Sequence, residues 1–111
     1  MDSIKNLDYE IDGEQIYVII KTNSKTHELE GFKTLMRENL WKVIESDFED
    51  SVLFFREQPY QKLKMSNNRD SLELKLTYPD GELEDATMSV SKSRFKEFLK
   101  DINQAVGGKV S

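Results

Sequence analysis

The chain has 111 residues, 37% of them apolar and 33% charged, with a formal net charge of −5 and no cysteine. That length fits one domain able to close a core without staples, expected over 1–108 with a frayed tail at 109–111. The missing thiol excludes disulfides, thiolate metal sites and cysteine nucleophiles, and the acidic balance disfavours DNA, RNA and anionic lipid.

The N-terminus, MDSIKNLDYEIDGE, has no basic stretch leading into an apolar one, and the longest apolar run, 16–20, is too short for a bilayer. A cytoplasmic protein is expected. Leu7, Tyr9 and Ile11 alternate with Asp8, Glu10 and Asp12, the period of a half-buried strand. Asp12-Gly13 suits a two-residue type I′ turn, which pairs Ile11 with Glu14, Tyr9 with Ile16 and Leu7 with Val18. Leu7, Tyr9, Ile16, Val18 and Ile20 then share one face. Tyr17 and Ile19 are apolar on the other, so the second strand is expected at the sheet centre, covered on both sides.

After TNSKT, the spacing of Leu29, Phe32, Leu35, Met36, Leu40, Val43 and Ile44 predicts an amphipathic helix. Ser24 or Thr26 is its candidate cap, Gly31 weakens its first turns, and it should end between Ser46 and Asp50. A meander is expected over 52–90. SVLFFREQ and YQKLKM are separated at Pro59, and Lys62 and Lys64 suit an exposed edge. SNNRDS is turn chemistry. Leu72, Leu74, Leu76 and Tyr78 then alternate with Glu73, Lys75 and Thr77, the cleanest strand pattern in the chain. Pro79-Asp80-Gly81 fits a three-residue hairpin loop, and the phase slip between Leu83 and Ala86 predicts a bulge near Glu84 and Asp85. Asp80, Glu82, Glu84 and Asp85 therefore read as a solvated hairpin tip.

Ser91 or Ser93 should cap a last helix whose stripe is Phe95, Phe98, Leu99, Ile102 and Val106, stopped by Gly107-Gly108. A hairpin followed by a helix recurs faintly at 7–48 and 71–106. The expected fold is α+β: hairpin, helix, β meander, helix, with an antiparallel sheet of about five to six strands carrying both amphipathic helices on one face.

Catalytic sets are sparse. His27 is the sole histidine, and zinc would need three carboxylate or water ligands beside it. Glu73 and Lys75, with Asp47 or Asp50 upstream, resemble the D…(D/E)-x-K constellation of restriction-type nucleases, in which carboxylates hold Mg²⁺ and lysine steadies the attacking water. E-x-K on a polar strand face is commonplace, however. The chain contains no EF-hand loop, GxGxxG or G-x-S-x-G motif. No cofactor and no metal are expected.

Surfaces remain. Trp41, Ile44 and Phe48 would form a second apolar ridge on the first helix, set against the bland reading of a wide core stripe. Lys62 and Lys64 would offer strand addition at an open edge. The expected function is that of a small acidic non-enzymatic protein acting by protein–protein binding, as a regulator, inhibitor, immunity protein or chaperone-like adaptor. Its partner would be another protein with a basic surface, or a second copy in a homodimer. The alternatives are single-strand nucleic-acid binding through Phe54, Phe55, Tyr60, Arg56, Lys62 and Lys64, or a metal-dependent nuclease.

Overall fold

Period-two alternation builds most of the molecule. A computed structural model describes residues 2–48, 51–56, 61–77 and 85–107, with the backbone alone for 41, 51–56 and 61. The elements are β1 (Asp2–Asp12), β2 (Gln15–Thr22), β3 (Thr26–Phe32), α1 (Lys33–Glu45), β4 (Ser51–Arg56), β5 (Gln61–Asn68), β6 (Ser71–Thr77), β7 (Ala86–Ser91) and α2 (Lys92–Ala105). Among the described residues they form an α+β fold with a seven-stranded sheet in the order β3-β2-β1-β7-β6-β5-β4. The sheet is mixed, which corrects the antiparallel expectation: β1 and β7 run parallel, joined at Asp2↔Met88 and Ser3↔Ser89. A parallel neighbour needs a long crossover, and here everything between β1 and β7 supplies it.

The first hairpin forms, with its register two residues beyond the expected one. Ile11 faces Ile16, Tyr9 faces Val18 and Leu7 faces Ile20, around a Gly13-Glu14 loop. Gly13 has φ +62° and Glu14 is not in the positive-φ region, the sign pattern of a type II′ turn with Gly first. A two-residue slip leaves every side chain on its original face, so the predicted face survives. β2 is not central. It lies between β1 and β3, and Tyr17 and Ile19 are only half-buried on an outer face that no further layer among the described residues covers.

Residues 26–32 depart most from expectation. They form β3, not the first turns of a helix, with His27, Leu29 and Gly31 buried in alternation. Ser24 and Thr26 therefore cap nothing. α1 begins at Lys33 behind Phe32, which makes no side-chain cap. The Lys33 N–H donates instead to the Glu14 carbonyl in the β1–β2 turn (2.9 Å). α2 repeats the device: the Lys92 N–H donates to the Asp70 carbonyl in the β5–β6 turn (2.9 Å). Ser91 adds the expected cap, its Oγ accepting from the Arg94 N–H.

These paired contacts expose an internal repeat, β1–β3–α1 and β5–β7–α2. Ile16, Val18 and Ile20 correspond to Leu72, Leu74 and Leu76, all buried. The third, seventh and tenth residues after Lys33 (Met36, Leu40, Val43) and after Lys92 (Phe95, Leu99, Ile102) are buried too. β4 is additional and occupies one end of the sheet.

Both helices lie on the face bearing this core, as expected. α2 packs on β1, β6 and β7, while α1 touches α2 and runs between the two ends of the sheet, β3 and β4, which approach each other. The sheet thus curls around its helices. Arg94 reaches the Ile4 and Lys5 carbonyls at the β1 irregularity (3.4 and 2.6 Å), and Arg37 on α1 donates to the Val106 carbonyl at the end of α2 (2.9 Å). The predicted loop at 79–81, the bulge at Glu84, Tyr78 and the tail at 109–111 lie outside the described residues. Of the tip acids only Asp85 is described, exposed and 3.8 Å from Lys75.

Candidate interaction surface

Phe48 is withdrawn from the predicted ridge on α1. Phe48 is fully buried, edge-on to Phe95 with ring centroids 6.4 Å apart, so it belongs to the core and presents nothing to a partner. Its backbone explains the placement. The Asp47 and Phe48 N–H groups donate to the Ile44 and Val43 carbonyls (3.3 and 3.1 Å), a Schellman closure that turns Phe48 inward. Ile44 is partly buried against the same core. The Trp41 side chain lies outside the described residues.

Lys62 and Lys64 are exposed as expected, but β5 is no edge, because β4 covers one side of it and β6 the other. Strand addition there is therefore corrected. Asp47, the candidate nuclease acid, is engaged by the Lys92 ammonium at 2.9 Å, and that contact holds its carboxyl below the usual range. Among the described residues no three His, Asp or Glu side chains converge as a metal site. Asp50, Tyr60 and the side chains of Phe54, Phe55 and Arg56 lie outside the described residues. His27 is buried at the end of β3; burial foremost, then Lys25, depresses its pKa below 6.5, with Asp2 opposing.

What the structure does gather is the outer face of β1–β3. Opposite partners on a sheet share a face, so register defines its rows. Asp12, Gln15 and Phe32 form one row; Glu10, Tyr17 and Glu30 the next; Asp8, Ile19 and Glu28 the third. Tyr17 and Ile19 thus form an apolar spine between two lines of carboxylates. Partial burial first, then the field of Glu30, Asp12, Glu28 and Glu10, raises the Tyr17 phenol above its ordinary value. Phe32, 38% exposed, follows Glu28 and Glu30 along β3 and borders a groove of about 370 Å³ lined by Phe32, Thr34, Leu35 and Glu38. Sequence reasoning missed this surface because it placed residues 26–32 in a helix. The alternation of Glu28, Glu30 and Phe32 with His27, Leu29 and Gly31 was the available signal.

The outer face of β5–β6 is mixed in sign: Lys62, Lys64 and Lys75 share it with Glu73, and Asp85 lies 3.8 Å from Lys75. Lys64 lies directly across from Lys75, and Lys62 across from Thr77. Val52 and Phe54 on β4 are the register partners of Lys64 and Lys62. Among the described residues no helix is long and apolar enough to cross a membrane. No family model, curated protein or solved structure matches the chain.

Proposed function

We propose that the protein is a non-enzymatic binding module whose partner docks on the outer face of β1–β3. One observation carries this reading: half-buried Tyr17 and Ile19 on β2 lie between Asp8, Glu10 and Asp12 on β1 and Glu28 and Glu30 on β3, with exposed Phe32 next along β3. An apolar strip bordered by carboxylates suits a partner that offers apolar side chains flanked by Lys or Arg. The strip supplies buried area, and the acids raise the association rate and set orientation. Regulator, inhibitor and adaptor roles all use such a surface.

A synthetic amphipathic peptide bearing Lys and Leu, with its Glu-for-Lys analogue as control, tests the reading by calorimetric titration. The cationic peptide should bind and the anionic one should not. Glu10→Lys/Glu28→Lys/Glu30→Lys should weaken binding at least about tenfold, and Ile19→Ser should weaken it with little change in salt dependence. Equal affinity for both peptides, or for wild type and the charge-reversed variant, overturns it.

A further inference from the structure

The carboxylates of the β1–β3 face are not neutralised within the chain. Asp8, Glu10, Asp12 and Glu28 are exposed and Glu30 is half-buried, and among the described residues none of the five forms an ion pair. Asp8 accepts from the adjacent Tyr9 N–H (2.8 Å), a neutral donor that leaves its charge unbalanced. Lys21 lies beyond Ile19 on the same face, in the row Asn6–Lys21–Thr26, and marks where the acids end. The β5–β6 face differs, since Glu73 and Asp85 sit among its lysines.

We infer that the occupant of this face is a cationic amphipathic α-helix of the partner protein, lying along β2 with apolar side chains on Tyr17 and Ile19 and with Lys or Arg on both flanks. The inference rests on the reading that β1–β3 takes a basic partner, and it specifies what that partner presents. Three dimensions carry it. Strands about 4.8 Å apart place the β1 acids about 10 Å from the β3 acids, and a helix with its side chains is about 10–12 Å across. Residues on one face of a strand recur about every 6.7 Å, and helix residues four apart rise about 6 Å, a mismatch that flexible lysines absorb. Asp8, Glu10 and Asp12 thus meet one flank of the helix, and Glu28 and Glu30 the other. Their three rows span about 13 Å, the rise of about nine helical residues. A single extended segment turns only one line of side chains toward the sheet, so it cannot supply an apolar line and two cationic ones. A helix this short is marginal alone in water, so an isolated segment should fold as it docks.

Two peptides of identical Lys and Leu content test this by calorimetric titration at about 50 mM NaCl, at concentrations where each is monomeric and unordered alone. One has leucines at helical spacing with lysines on both flanks, and the other alternates leucine and lysine. The first should bind at least about tenfold more tightly and gain helical circular dichroism on binding. Asp8→Asn/Glu10→Gln/Asp12→Asn and Glu28→Gln/Glu30→Gln, each with an unchanged spectrum, should both weaken it. A helical peptide with the lysines of one flank replaced by Gln should remain sensitive to one acid row and not the other. Equal affinity for the two isomers, binding without helix gain, or indifference to either acid row overturns the inference. Equal sensitivity of the one-flank peptide to both rows overturns it too, as does self-association of the chain that excludes the helical peptide. If the alternating isomer binds and its Glu-for-Lys analogue does not, the helix falls and the β1–β3 reading stands. Failure of both cationic peptides to bind removes both.

Discussion

Asp47 and Phe48 adopt φ of 56° and 64°, a region in which non-glycine residues are strained. Three contacts hold them there. Lys92 binds the Asp47 carboxylate, the Asn67 amide donates to the Asp47 carbonyl (2.8 Å), and the Phe48 ring is enclosed by the core. Phe48→Ala removes the last of these. It should cost about 3–5 kcal/mol, measured by urea unfolding, since it combines a cavity with a strained cap. A cost under about 1 kcal/mol would place the ring outside the core after all. His27 gives a pH signature. Burial disfavours its charged form, so the folded chain binds the proton less readily than the unfolded chain does. The stability from neutral His27 is present above pH 6.5 and lost as pH falls through the depressed folded value. Denaturant midpoints should decline on acidification below about pH 6.5, and His27→Gln should flatten that decline. An identical slope in the variant would assign the pH dependence to other groups.

At the scale of elements, alternation was the most readable signal. Leu72, Leu74 and Leu76 on β6, the Phe95–Val106 stripe and the Ser91 cap all stand where the pattern put them. β3 was obscured because Leu29 and Phe32 are three apart and run straight into the true stripe of α1, so helix period absorbed a strand. Gly31 also reads as a weak helical residue, whereas on β3 it is buried opposite Ile16. The helix starts are tertiary in origin: Lys33 and Lys92 find their acceptors in distant turns, which no local window contains. Long-range ties behave likewise. Arg37 places a cation at the C-terminal end of α2, where the helix dipole favours it. Arg37→Met keeps the aliphatic stem and should lose about 0.3–1 kcal/mol, while Ser91→Ala should lose about 0.5–1 kcal/mol by removing the cap. Thermal melts of both single variants and the double check this. The losses should add, because the two contacts lie at opposite ends of α2.

For the whole molecule, the α+β class and the one-sided placement of the helices were legible, while strand order was not. Periodicity sets which face of a strand is buried and is silent about its neighbours. Hence neither the interior position of β5 nor the parallel β1–β7 pair was readable, and the acidic face emerged only once β3 took its place beside β2. The β1–β7 junction is short, with Asp2↔Met88 and Ser3↔Ser89 as its ladder pairs, and it divides two meanders whose strands pair with sequence neighbours. Loop-closure entropy then falls unequally: each meander closes cheaply, and the junction bears the long-range cost. Nucleation belongs inside a meander, with the two ends of the chain docking after the rate-limiting barrier. Ser3→Pro or Ser89→Pro should consequently quicken unfolding and leave the refolding limb of the chevron nearly untouched, whereas Leu74→Ala should slow refolding. A refolding limb slowed equally by all three would mean that the ends meet first.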